Sequence, residues 1–368
     1  MGCSDMLEYL RIFKARIKKA PDSLTFFVTG VCNSRCRMCF YWQNIDKAKR
    51  AEELTLGEIK KIAESMPDFF WLWLSGGEPF LRDDLPQLCQ AFYANNHVRN
   101  IQIPTNGLLP GKIAEQTRQI LECCPKANIL VILSIDDIEE RHDYIRGVKG
   151  NWKKVIETAE KIRELQKQYP RLKLQATVTL SSYNQDHIVE VFNWIEKAVG
   201  ITGINVNLVR GEPEDKDSCK VDLENYREII GHLKTKTGKY RQYPFPISAI
   251  AYAKDTLQRE LILRIAQTNR CLVKCLALRS SIVMDEKGNL YPCEILPDKV
   301  GNLRDVDYDF QKLWKSAQAE KLRKYIADGC FCTHECSLST SVLFAPRYLP
   351  RLLLHFIRYA TRRSARQK

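Results

Sequence analysis

The chain has 368 residues, 45% of them hydrophobic and 27% charged, a globular composition long enough for about two or three domains of roughly 150 residues each. Disordered and collagen-like classes are excluded, and apolar runs such as Ile129 to Ile135 fall short of the roughly 18 residues that suggest a membrane-spanning helix. The 57 basic against 44 acidic residues give a net charge of +13, which suits nucleic acid, an anionic membrane surface or an acidic partner protein and chooses among none of them.

No early apolar run leads to a small-residue cleavage site, and Met6 stands where a myristoylation signal wants Ser or Thr, so the expected address is the cytoplasm. Fourteen cysteines are too sparse for a disulfide scaffold, which points to reduced thiols available to metal. Nine of them are grouped: Cys32, Cys36 and Cys39 early, then Cys271, Cys275, Cys293, Cys330, Cys332 and Cys336 in the last hundred residues.

In chain order, residues 5–19 read as a basic helix with Leu10, Phe13 and Ile17 on one stripe. Strands are expected at Leu24 to Thr29, Phe70 to Leu74, Asn100 to Pro104, Ile129 to Ile135, Lys173 to Leu180 and Gly203 to Val209. Helices are expected near 55–66, 84–96, 111–122, 151–169, 186–199 and 222–235, the first opened by a capping box at Thr55 and Glu58. Repeated βα units imply a parallel sheet with helices outside, and spacing alone does not separate a barrel from a doubly wound sheet.

The placement of unusual residues favours a barrel, because a polar signature lies at or just past the end of each strand. The cysteine loop follows the first, Ser75-Gly76-Gly77-Glu78-Pro79 the second and Thr105-Asn106-Gly107 the third, while Ser134 and Asp136 close the fourth. Asn184 follows the fifth strand and Arg210 the sixth. Six signatures on the carboxyl rim of a βα barrel converge on one ligand.

Cys32, Cys36 and Cys39 place three thiols on eight residues. Three thiolates on a four-iron cluster leave one iron open, and an open iron is a reaction site, whereas a structural zinc wants a fourth protein ligand. The Cys-x3-Cys-x2-Cys spacing, Gly76-Gly77-Glu78-Pro79, Thr105-Asn106-Gly107 and Ser134-Ile135-Asp136 together resemble a radical S-adenosylmethionine (SAM) enzyme over about residues 24–210. Met38, where an aromatic is usual, and Asp137, where glycine is frequent, depart from that pattern.

The resemblance implies a [4Fe–4S] cluster on the triad, with its open iron chelating SAM. Reductive cleavage would then give a 5′-deoxyadenosyl radical that abstracts hydrogen from a substrate. It implies cofactor contacts at Gly76, Gly77, Glu78, Thr105, Asn106, Ser134, Asp136 and Arg146. In that reading the glycines admit the methionine moiety, Glu78 accepts from its ammonium, Ser134 and Asp136 suit the ribose, and Arg146 meets the carboxylate. A salt bridge or helix cap is the bland alternative for Asp136 and Arg146. An acidic electron donor such as a flavodoxin or ferredoxin is also implied.

Cys275-x12-Gly288-x4-Cys293, followed by Cys330, Cys332 and Cys336, resembles the SPASM/twitch extension, with Gly288 in the turn of a hairpin from Ile282 to Tyr291. Six cysteines cannot saturate two four-iron clusters. One auxiliary [4Fe–4S] cluster is therefore expected on Cys275, Cys293 and Cys336, with the fourth ligand from Cys271, Cys330 or Cys332; a zinc ribbon fits the spacing equally. Glu294, beside Cys293, is a candidate base by similarity to sulfatase-maturing relatives, and an ordinary loop glutamate otherwise.

The expected fold is α/β, a partial (βα)6 TIM-like barrel with a small cysteine-rich domain and a basic C-terminal helix. Its units are an N-terminal helix 1–20, the barrel 21–240, the auxiliary domain 241–340 and a basic amphipathic tail 341–368. The tail lies on a membrane surface, caps the barrel or binds RNA phosphates. The expected substrate is a lipid, sugar or other small metabolite, with a peptide as the alternative. A non-catalytic zinc- or cluster-bearing nucleic-acid binder is the rival from another class, set lower because it leaves the glycine motif unexplained.

Overall fold

The structure is a computed structural model that describes residues 20–201, 203–236 and 245–365; the helix expected at 5–19 lies outside the described residues. Valine, isoleucine, leucine and phenylalanine fill the strands because helices or loops cover both faces of a parallel sheet. The strands are β1 Ser23–Thr29, β2 Trp71–Gly76, β3 Asn100–Thr105, β4 Asn128–Ser134, β5 Leu172–Leu180 and β6 Ile204–Leu208. Each pairs in parallel with the next. Helices Leu56–Ser65, Leu85–Asn96, Pro110–Cys123, Asn151–Gln168, Ile188–Trp194 and Leu223–Thr235 form the crossovers. All six strands and six helices fall where the sequence places them, within a few residues.

Local chemistry explains the first crossover. Thr55 Oγ1 accepts from the Glu58 amide at 3.3 Å, and the Glu58 carboxylate accepts from the Thr55 amide at 2.7 Å. The box satisfies amides that a helix start leaves without partners.

The sheet continues past β6 in sequence but not in space. Strand β7, Ser281–Met284, pairs in parallel with β1, and β8, Asn289–Tyr291, and β9, Gly301–Asn302, add on in antiparallel fashion. The order is β6-β5-β4-β3-β2-β1-β7-β8-β9, with β6 and β9 at opposite ends, which is an open, partial barrel. The expected hairpin with Gly288 at its turn is β7–β8, and it extends the barrel sheet directly.

The far edge also meets the C-terminal region. Glu335, opening the helix Glu335–Leu343, accepts from the Leu208 amide of edge strand β6 at 3.3 Å. An edge amide thus gains a partner instead of offering itself to another chain. A long helix, Ile247–Thr268, packs against the helices Leu223–Thr235, Glu335–Leu343 and Leu349–Ala365. No described helix is long and apolar enough to cross a membrane.

Candidate active site at the strand termini

Parallel register brings the strand ends level: Thr29 stands opposite Gly76, Thr105 opposite Leu133, and Ser134 opposite Thr177. The loop leaving β1 carries Cys32, Cys36 and Cys39, all half-buried. A segment the sequence left unassigned holds that loop, the helix Glu139–Arg146 and the Gly147 that ends it. The Arg35 and Arg37 amides donate to the Arg146 and Ile145 carbonyls at 3.3 and 3.0 Å, and Ser34 Oγ donates to the Arg146 carbonyl at 2.8 Å. Ser34 Oγ also lies 3.3 Å from Cys36 Sγ. Ser34 is buried and was missed; its only signal is its place inside the cysteine run. Met38, the departure from the aromatic, packs with Ile145 and Val209 beside Cys36 and Tyr183, and so locks the loop to the same shelf.

Gly76 and Gly77 have a reason the sequence did not show. A β-carbon on Gly76 would lie 2.3 Å from the Thr29 carbonyl oxygen, and one on Gly77 would lie 2.1 Å from that of Val31. The glycines let the exits of β1 and β2 run in backbone contact, with the Gly77 and Glu78 amides donating to Thr29 and Val31 at 2.8 and 2.9 Å. Glu78 is buried, and its oxygens accept from Thr105 Oγ1 at 2.8 Å and from the Asn106 and Phe80 amides at 2.8 and 3.3 Å. Of about four lone-pair sites on a carboxylate, one remains. Burial pushes its carboxyl up to about 7, the hydrogen bonds offsetting that only in part. Asn106 Nδ2 donates to Asn33 Oδ1 at 2.8 Å, tying β3's exit to the cysteine loop.

Asp136 and Arg146, expected at opposite ends of one ligand, face each other: Arg146 Nε lies 2.6 Å from Asp136 Oδ2. Arg146 Nη1 also reaches Cys36 Sγ at 3.6 Å, so this guanidinium links β4's exit to the cysteine loop. The Thr179 amide donates to Asp136 Oδ1 at 2.7 Å. Asp137, the other departure, binds His187 at 2.7 Å and so joins the exit of β4 to the loop after β5. Asn184 donates to the Asp136 and Thr179 carbonyls at 2.8 and 2.9 Å, which makes it a loop brace. The half-buried Ser134 hydroxyl has no hydrogen-bond partner among the described residues.

In the second cysteine field, Cys271, Cys275, Cys293, Cys330 and Cys332 share one neighbourhood. Burial first, then the neighbouring thiols, pushes Cys330 and Cys332 up to about 11. The Ala277 and Leu296 amides lie 3.5 and 3.4 Å from the sulfurs of Cys275 and Cys293, an arrangement that favours thiolate. The Cys336 side chain lies outside the described residues. Beside this field, Glu294 Oε2 takes Arg210 Nη2 at 3.2 Å and His334 Nε2 at 2.9 Å, while Arg210 Nη1 reaches Glu335 at 3.5 Å. Burial raises the Glu294 carboxyl, but the hydrogen bonds and charge interactions with His334 and Arg210 outweigh that and hold it at about 2. Arg210 also lies over the Phe40 ring, next to Cys39.

Do these residues fit the cofactors that the sequence implies? Burial pushes the Cys32 thiol up to about 12 and Cys39 up to about 11, so these thiols become ligands only against strong positive charge such as iron supplies. Among the described residues no three side chains are spaced for a single metal ion. A four-iron cluster asks less of them, since each thiolate binds its own iron. The buried Glu78, with one acceptor site left open by its three hydrogen bonds, suits an ammonium donor. The donor set fits.

A parallel partial barrel with a three-thiol loop over its strand ends defines a metallocofactor enzyme of the βα-barrel class. Residues 26–195 match the Radical SAM superfamily, and the chain is a radical SAM enzyme, a superfamily that uses a [4Fe–4S] cluster and SAM. The rival reading as a non-catalytic nucleic-acid binder is set aside. The AdoMet-dependent heme synthase of Methanosarcina barkeri is 25% identical over 316 residues, covering 83% of this chain and 85% of that one. The probable GTP 3′,8-cyclase of Methanococcus maripaludis is 26% identical over 321 residues, covering 85% and 94%. Among solved structures, Streptococcus suis SuiB bound to S-adenosylmethionine matches with a TM-score of 0.57 at 16% identity, over 88% of this chain and 73% of that one. The anSMEcpe structure with bound AdoMet matches at 0.57 and 17%, over 93% and 94%. At these identities the structural likeness is one of fold.

Proposed function

We propose that Cys32, Cys36 and Cys39 hold the [4Fe–4S] cluster, that SAM lies between the exits of β2, β3 and β4, and that the substrate is a small metabolite. When bound, cluster and SAM supply reductive cleavage to a 5′-deoxyadenosyl radical that takes hydrogen from a substrate C–H bond. The observation that carries the reading is the cysteine loop seated on the Ile145–Gly147 shelf, with Arg146 reaching both Cys36 and Asp136. Arg146 orients the loop, Glu78 offers its remaining lone pair to the ammonium, and Ser134 offers its hydroxyl to the ribose. A small substrate is supported by the sequence relatives, whose names concern heme and GTP.

One auxiliary [4Fe–4S] cluster belongs to Cys275 and Cys293, with its other ligands drawn from Cys271, Cys330, Cys332 and Cys336. The units divide at 21–240, 241–340 and 341–368, and the protein works in the cytoplasm. The +13 net charge suits an acidic flavodoxin- or ferredoxin-type donor.

The test uses anaerobically reconstituted protein with dithionite, SAM and deuterated cell extract split into metabolite and peptide fractions. Expected is 5′-deoxyadenosine that gains deuterium from the metabolite fraction, and none formed after Cys32, Cys36 and Cys39 are replaced together by Ala. Deuterium arriving from the peptide fraction overturns the substrate class. Cleavage that persists without the three cysteines overturns the triad.

A further inference from the structure

The C-terminal helix Leu349–Ala365 is amphipathic in an unusual sense, because its solvent face is apolar over more than two turns. Tyr359 and His355 point inward and are buried, Tyr359 packing on Tyr252 of the long helix. Outward stand Leu349, Leu353, Leu354 and Ile357, each 46–59% exposed. Phe245, 49% exposed and packed on Phe356, widens the patch. Scattered surface leucines need no explanation, but a contiguous stripe of them marks an interaction surface.

The stripe is edged by charge of one sign. From Ser337 to Lys368 there is no acidic residue. Arg351 is neutralised by Glu260, but Arg347, Arg358, Arg362 and Arg363 have no acidic partner among the described residues. Arg362 and Arg363 donate instead to the Lys234 carbonyl at 2.7 Å and to Ser248 Oγ at 3.0 Å.

The occupant must therefore be apolar beneath and anionic around. A second copy of the chain would set arginine against arginine. Residues 1–19, with five basic and two acidic side chains, are as poorly matched. A polyanion such as RNA would satisfy the arginines and leave the leucine stripe wet. We propose that this helix docks the enzyme on an anionic bilayer, with Leu349, Leu353, Leu354 and Ile357 entering the headgroup boundary and the arginines meeting lipid phosphates.

The test is cosedimentation of the full chain with phosphatidylcholine vesicles, with and without phosphatidylglycerol. Expected is binding that requires phosphatidylglycerol and weakens with salt. Leu353→Ser with Leu354→Ser should weaken it on the order of a hundredfold, and Arg358→Ser with Arg362→Ser about twentyfold or more. Leu353, Leu354 and Arg358 lie on the exposed face, and Arg362, also exposed, loses only its bonds to the Lys234 carbonyl and the Tyr252 hydroxyl, so circular dichroism and deoxyadenosine formation should match wild type. Three results overturn the proposal: no binding to anionic vesicles; binding lost with the arginines but not with the leucines, which assigns the face to a polyanion; or a concentration-dependent dimer abolished by the leucine changes, which assigns it to a second copy.

Discussion

Gly147 and Arg35 meet so closely that a β-carbon on Gly147 would lie 2.2 Å from the Arg35 carbonyl oxygen. Gly147 also has φ +66°, a left-handed conformation that costs other residues roughly 1–2 kcal/mol. The obstacle is backbone, so the cysteine loop itself must move. Gly147→Ala is expected to fold and to lose most of the iron bound by the triad, while iron in the C-terminal field remains. Full iron content, measured per chain after anaerobic reconstitution, would show that the shelf does not set the loop.

Arg146 acts from the same shelf. Its pair with Asp136 is almost wholly buried, and removing one partner of a buried pair typically costs about 3–5 kcal/mol. Arg146→Met should lower stability by that order and also reduce cluster content, since Cys36 loses its guanidinium neighbour. Arg146→Lys should recover part of the stability, because one ammonium cannot span Asp136 and Cys36 together. Denaturation midpoints and iron analysis read the two effects separately.

What could be read from the sequence and what could not divides along the range of the interactions. The capping box at Thr55 and the apolar strand runs are signals within a few residues. The helix Ile247–Thr268 gave no stripe to read because three other helices pack on it, burying Gln258 and Arg259 along with its leucines. The pairing of β7 with β1 joins residues over 250 positions apart, and no local pattern announces it. At the site, Asp136, Arg146, Arg210 and Glu294 were all visible as unusual residues. That the first two pair with each other, and the last two likewise, depends on where separate loops meet.

His142 gives the shelf a pH dependence. It is buried beneath the site, taking the Asp136 amide on Nδ1 at 3.3 Å with Nε2 3.2 Å from Asn151, which leaves Nε2 to carry the proton. Burial first, then the charge of Arg146, lowers it to about 3 from an ordinary 6.5. The unfolded chain therefore binds this proton more readily than the folded one. Its contribution is complete above about pH 6.5 and declines as pH falls toward 3, by up to about 1.4 kcal/mol per unit. His142→Gln should flatten the fall in stability between pH 6.5 and 5; an unchanged slope would show that His142 does not set it.

The second cysteine field predicts a count. Reconstituted protein should hold about eight irons, as two four-iron clusters require. Cys275→Ala with Cys293→Ala should halve that number while deoxyadenosine still forms, because these residues lie outside the β1 loop. About four irons in the unaltered protein would remove the auxiliary cluster, and about twelve would mean a third.

The last prediction separates two roles for Glu294. A free base would be expected to stand open to substrate, yet the Glu294 side chain is only 9% exposed and shares Oε2 between Arg210 and His334, while Arg210 also bridges to Glu335. Such a clamp fastens the end of β6 to the cysteine field, which is a positioning role. As a clamp, Glu294 and Arg210 should be energetically coupled: a double-mutant cycle with Glu294→Gln and Arg210→Met should give more than about 1 kcal/mol, within the usual range for contacting charged residues. Arg210→Lys, which keeps the charge but loses the two-carboxylate bridge, should then resemble Glu294→Gln, with deoxyadenosine still forming and product reduced. If instead Glu294→Gln lowers product on the order of 10² to 10⁴ while Arg210→Lys works at the wild-type rate and coupling is below about 0.5 kcal/mol, the carboxylate is a base in its own right.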